Sequence, residues 1–198
     1  MKKMPCLFAR DFTDKRRPVL LRDVTPGCEW VLAGDGTPTR KRDGTACAVI
    51  GEVLHKRYDV KRRNGDHSEA LARLPPGAVP CDEPDAITGH WPHWVPVGEE
   101  PESRWHREAW GLVGRSLPDG TYELCGPKLQ ANPEGYAVHT FVLHGSEVVD
   151  GCPRDWDGLR DFLSSYEGEG VVFHRPNGAM CKIRRDDFGF AWPPRKSE

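Results

Sequence analysis

The chain has 198 residues, 29% of them charged, with a formal net charge of −2. That length suits one domain burying roughly 70% of the surface its unfolded chain exposes, and the near-neutral balance excludes coating of nucleic acid by bulk charge. No leader pattern or apolar run of membrane length is present, and seven scattered cysteines without a CxxC pair exclude a disulfide framework or zinc ribbon, so a soluble, cytoplasmic protein is expected.

In chain order, the N-terminal part through Thr25-Pro26-Gly27 reads as an extended lead-in with an apolar patch at Val19, Leu20 and Leu21. Trp30 to Ala33 reads as a strand. Thr45 to Val53 and Leu54 to Val60 suit the two arms of a β-hairpin, which places Lys41 just before a strand. From Lys61 to Glu102 the chain is rich in proline and irregular, with a short helix over Ser68 to Leu74. A long loop of this kind is often functional. Within it, Gly89 to Pro96 concentrates His and Trp. Tyr122 to Leu129 and Ala137 to Leu143 read as strands.

Asp155 to Tyr166 gives the clearest helix, capped by Asp155, with Trp156, Leu159, Phe162, Leu163 and Tyr166 on one face. Gly170 to His174 and Ala179 to Arg185 form a hairpin across Arg175-Pro176-Asn177-Gly178, because Asn-Gly favours tight reversal. The predicted fold is one α+β domain over residues 1–198, mainly antiparallel sheet with few helices.

Lys41-Arg42-Asp43-Gly44 is followed far downstream by Glu169-Gly170 and Lys182-Ile183-Arg184. A lysine before Asp-Gly can attack a nucleoside triphosphate if it is held unprotonated, which nearby cations and partial burial favour. Carboxylates are needed to hold a metal that offsets charge on phosphate oxygens, and Glu123 and Glu169 are the candidates. Lys182 and Arg184 alternate with Ile183, so both project from one face of a strand. That sets two cations beside one phosphate.

In this order the segments resemble the covalent nucleotidyltransferase superfamily of ATP-dependent ligases and capping enzymes. Within it they are most similar to small RNA ligases related to the vertebrate cytoplasmic 5′-to-3′ RNA ligase. The resemblance runs from about Glu29 to Pro193. Lys41-Arg42-Asp43-Gly44-Thr45 resembles motif I, with Lys41 as the adenylylated lysine, and Arg57-Tyr58-Asp59 resembles the basic segment that follows. Tyr122 to Gly126 looks like motif III, whose Glu contacts ribose. Glu169 to Phe173 looks like motif IV, whose Glu supports the metal, and Lys182 to Arg184 looks like motif V. Gly89 to Val97, Asn132-Pro133 and Asp187 to Gly189 are similar to this branch as well.

The resemblance implies a nucleotidyltransferase (ligase adenylylation) domain without an OB domain. Lys41, Glu169 and Lys182 are implied as catalytic residues, and Arg40, Asp43, Gly44, Arg57, Glu123 and Arg184 as nucleotide-binding, with Glu169 as metal ligand. ATP and Mg²⁺ or Mn²⁺ are the implied cofactors. The partner is RNA with 5′-phosphate and 3′-hydroxyl ends, with no membrane and no obligate protein partner. Two departures stand out: Ala46 replaces the Arg of the KxDGxR pattern, which leans toward RNA ligases, and Arg184 replaces the usual second Lys of motif V.

Lys56, Arg57, Lys61, Arg62 and Arg63, with Trp91 and Trp94, are candidates for gripping RNA, since aromatic rings stack on unpaired bases. Core packing claims at least one of the tryptophans. His90 and His93 have HxxH spacing but no second ligand pair for a metal, and His139 and His144 read as strand-edge residues. Two other readings compete with a ligase: transfer of the nucleotide to another acceptor (capping-type or protein AMP transfer), and a catalytically silent nucleotide- or RNA-end-binding module.

Overall fold

In the computed structural model, residues 3–14, 18–62, 66–85, 89–113 and 116–193 are described. Arg63, part of the basic run noted above, lies outside them. The architecture is α+β, with mostly antiparallel sheets and few helices. By contacts the chain divides into two compact units. One is Asp43–His144 with Met1–Lys3, and the other is Met4–Arg42 with Gly145–Glu198. The chain therefore passes from one unit to the other between Arg42 and Asp43, and returns between His144 and Gly145. Among the described residues, no helix is long and apolar enough to cross a membrane.

The discontinuous unit holds β1 (Phe8–Asp11) paired with β2 (Val19–Val24), so the N-terminal segment is a hairpin with Leu7 and Phe8 in the core rather than a plain lead-in. Trp30 to Ala33, expected as a strand, lies instead in and just after a one-turn helix, α1 (Glu29–Leu32). The Thr25-Pro26-Gly27 turn starts it: Cys28 N–H donates to Thr25 O (2.9 Å), and the Trp30 indole N–H donates to Gly27 O (2.9 Å).

Lys41 stands just ahead of the strand that begins at Thr45, as expected, and it also ends one that was not expected, β3 (Thr37–Lys41). With β10 (Gly170–His174) and β11 (Met180–Arg184) it makes an antiparallel sheet in the order β11-β10-β3. The β10–β11 hairpin turns at Gly178, whose φ of 84° suits glycine. Helix α4 (Trp156–Ser165) carries the predicted cap, Asp155 Oδ1 accepting from Gly158 N–H at 2.9 Å. Its Leu159 and Leu163 are buried with Val31, Val171, Phe173 and Ile183 in this unit's core.

The Asp43–His144 stretch of the other unit forms a six-stranded antiparallel sheet in the order β6-β7-β5-β4-β8-β9. Its middle is the expected hairpin, β4 (Thr45–Ile50) and β5 (Val53–Val60), joined through Gly51 and Glu52, both at positive φ. Outside it lie β6 (Val79–Pro80), β7 (Trp91–Pro96), β8 (Gly120–Cys125) and β9 (Thr140–Leu143). Helix α2 is the short one expected, over Ser68–Leu71.

The aromatic loop of the sequence reading is thus a strand, β7, paired along its whole length with β5. Trp94 is buried, while Trp91 is partly exposed and donates its indole N–H to Asp82 O at 2.6 Å. A further helix, α3 (Arg104–Val113), had no counterpart in the reading. Its Ala109, Trp105, Trp110 and Val113 pack on Cys47, Tyr122, Leu124 and Phe141.

Candidate active site

In the three-stranded sheet, Gly170 is the register partner of Lys41 on β3 and of Arg184 on β11. The two basic residues therefore flank one glycine across adjacent ladders. Glycine is required there, because a Cβ would lie 2.2 Å from the Ile183 carbonyl oxygen. Glu169, just before Gly170, sends its carboxylate to the Lys41 ammonium. The Lys41 Nζ also lies 3.5 Å from Arg42 O.

Lys182 and Arg184 share one face of β11, while Cys181 and Ile183 face the core. The Lys182 ammonium is pushed down to about 8, first by burial and then by the charges of Lys41 and Arg184, with Glu169 opposing. This sheet thus gathers four of the expected residues: Lys41, Glu169, Lys182 and Arg184.

Two further residues complete the cluster. Asp187, its side chain only 3% exposed, accepts from the Arg184 backbone N–H (2.9 Å) and guanidinium (3.1 Å), and from the Arg10 guanidinium. Arg10 in turn acts on Lys182 electrostatically. Arg10 is a cation that the sequence reading missed. Arg40, next to Lys41 on β3, donates to Glu167 O (2.6 Å), and its guanidinium lies over the Tyr166 ring.

In the other unit, Gly44 follows the chain crossing, and its N–H donates to Glu123 Oε1 at 3.1 Å. A Cβ on Gly44 would lie 2.3 Å from Leu124 O, so β8 and the Asp43-Gly44 turn approach closely because no side chain intervenes. Glu123 Oε2 lies 2.9 Å from His144 Nε2. Arg57 on β5 is paired with Asp59, Nε to Oδ1 at 3.1 Å, on the same strand face. Asp43 occupies the turn between β3 and β4.

No family model matches the chain. Among curated proteins, it is 27% identical to RNA ligase 1 of Rattus norvegicus, in an alignment covering 91% of this chain and 70% of that protein. Against RNA ligase 1 of Mus musculus the identity is 27%, over 91% of this chain and 69% of the relative. Against that of Pongo abelii it is 26%, over 78% and 60%. The chain is related to vertebrate RNA ligase 1. It spans about 60 to 70% of the length of these RNA ligase 1 proteins. The alignments with the rat and mouse RNA ligases 1 cover nearly the whole chain, so the relationship extends beyond the short segments around Lys41 and Glu169.

Proposed function

We propose that the chain is an ATP-dependent RNA ligase, one nucleotidyltransferase domain over residues 1–198, that joins 5′-phosphate and 3′-hydroxyl RNA ends. The observation that carries this is the convergence of Lys41, Glu169, Lys182 and Arg184 from three strands, in a relative of RNA ligase 1.

Lys41, as a neutral amine, attacks the α-phosphorus of ATP. A P–N bond forms, the bond to the pyrophosphate oxygen breaks, and AMP is left on the lysine. AMP then passes to the RNA 5′-phosphate, and attack by the 3′-hydroxyl joins the ends and releases AMP. Lys182 and Arg184, on one strand face, offset charge on the phosphate oxygens. Glu123 is assigned to orient the nucleotide, with Gly44 and Asp43 shaping the turn behind the nucleophile. Arg40 and Arg57 are assigned to nucleotide or RNA phosphate.

For the divalent cation, Mg²⁺ or Mn²⁺, the donor set is the Glu169 carboxylate. Among the described residues no cluster of three His, Cys, Asp or Glu side chains could hold a metal. One carboxylate fits an ion that takes its remaining ligands from water and substrate phosphates. When bound there, it would neutralise charge developing on those phosphates.

The test is incubation with α-labelled ATP and Mg²⁺ followed by a denaturing gel, beside Lys41→Ala. A labelled band that requires Lys41 and is chased by 5′-phosphate RNA into longer product is expected. A band that RNA cannot chase points to another acceptor. ATP binding without any band points to a silent binding module.

A further inference from the structure

We propose that His144 is a positioning residue that locks the carboxylate of Glu123 in the orientation used for the nucleotide. The proposal deepens the ligase reading, since it rests on Glu123 as the nucleotide-orienting residue.

His144 follows β9 and is tied to β8 by three bonds. Its backbone N–H donates to Thr121 O at 3.0 Å, continuing the ladder. Its ring spans the side chains of Thr121 and Glu123, two residues apart on the same face of β8. Nδ1 lies 3.0 Å from Thr121 Oγ1, and Nε2 lies 2.9 Å from Glu123 Oε2.

The chemistry of the carboxylate fixes the donor at one end of this chain of bonds. A carboxylate only accepts, so Nε2 carries a proton and donates to Glu123. Nδ1 meets the Thr121 hydroxyl, which can serve a ring nitrogen as donor or acceptor. The other Glu123 oxygen accepts the Gly44 N–H, 3.1 Å away in the turn after Lys41. Both oxygens are thereby held, one by the backbone of the Lys41-Arg42-Asp43-Gly44 segment and one by His144. With the His144 side chain 20% exposed and that of Glu123 14%, water competes weakly for the bond. Loss of the ring leaves the carboxylate pivoting on a single bond to Gly44.

The experiment compares His144→Ala, His144→Gln and His144→Asn for the ATP dissociation constant and for covalent labelling, in the same folded preparations. The amide nitrogen of glutamine reaches the position of Nε2, and that of asparagine the position of Nδ1. Expected are a rise of about tenfold in the ATP dissociation constant for His144→Ala, the worth of one hydrogen bond to a charged group, a similar rise for His144→Asn, and recovery in His144→Gln. A role in packing alone would rank glutamine and asparagine alike.

Nitrogen-15 NMR of the His144 ring adds a readout that is independent of activity. A proton on Nδ1 alone, or unchanged ATP affinity in His144→Ala, overturns the proposal. If the wild-type protein binds ATP without forming an adduct, the ligase reading falls and the ranking of variants still decides the role of His144. If it does not bind ATP, both fall.

Discussion

The ammonium of Lys41 rests on the carboxylate of Glu169, a residue 128 positions further along the chain. In that pairing the lysine is held in place but its nitrogen is engaged. The same carboxylate moderates the repulsion among Lys41, Lys182 and Arg184. Glu169→Gln keeps the shape and removes the charge. Covalent labelling by ATP is expected to fall about a hundredfold or more, the scale for removing one electrostatic group from a reaction centre. Undiminished labelling in a time course would take Glu169 out of the chemistry.

Asp187 holds Arg10 and Arg184 together from a nearly dry position. Removing one partner of a buried charge network is costly, so Asp187→Ala should lower unfolding stability by about 3 kcal/mol in urea titration. It should also slow labelling, because Arg184 loses the bonds from its guanidinium and its backbone N–H to Asp187 and keeps its ion pair with Asp186. A stable variant with normal labelling would mean that Arg184 needs no such support.

Gly170→Ala tests the sheet itself. Its Cβ would press on the Ile183 carbonyl, which is backbone and cannot swing aside. A loss of about 1 to 3 kcal/mol is expected from overpacking, together with weaker labelling as Lys41 and Arg184 are pushed out of register. Chemical denaturation and the labelling gel read the two effects separately.

His106 on α3 predicts how stability responds to acid. It is 6% exposed, and neither ring nitrogen has a hydrogen-bond partner among the described residues. Its imidazole is lowered from 6.5 to about 4, by burial first and by Lys56 next, with Glu100 opposing. Because the folded value is depressed, the unfolded chain binds the extra proton between these two values. Stability is therefore unaffected by this residue above pH 6.5 and is lost as pH falls toward 4. The loss reaches roughly 3 kcal/mol, at about 1.4 kcal/mol per unit. His106→Leu should flatten that part of the profile of Tm against pH.

That Lys41, Glu169, Lys182 and Arg184 would lie together was readable because they sit in short segments whose order carries meaning. Glu169, Lys182 and Arg184 flank or alternate along strands whose apolar partners, Val171, Phe173 and Ile183, give the period away. Helix α4 showed its cap and its stripe. Strand β3 was hidden because Thr37-Pro38-Thr39-Arg40-Lys41 has no apolar alternation. Its buried member is Thr39, whose hydroxyl donates to Val172 O at 3.2 Å. Strand β7 was obscured by Pro92 and Pro96, which ordinarily argue against an interior strand. The carbonyl of Pro92 nevertheless accepts from Cys81 N–H at 2.9 Å, so the residue still joins a ladder. Helix α3 carries Trp105, Ala109 and Val113 at helical spacing on one face, so its period was present in the sequence and was overlooked at the end of the proline-rich stretch. Arg10 and Asp187 gave no warning as partners, since their ion pair spans 177 positions.

The placement of β3 on one side of the Asp43–His144 stretch, and of β10 and β11 on the other, sets an order of events during synthesis. Apart from Met1–Lys3, the unit formed by that stretch is a single run of chain, and all of it has been made before Gly170. At about 5 to 20 residues per second, the ribosome adds the remaining strands seconds later, and until then Lys41 has neither its carboxylate nor its neighbouring cations from β11. A message cut short before Glu169 therefore yields a protein that carries Lys41 without Glu169, Lys182 or Arg184 and is expected to form no adduct with ATP.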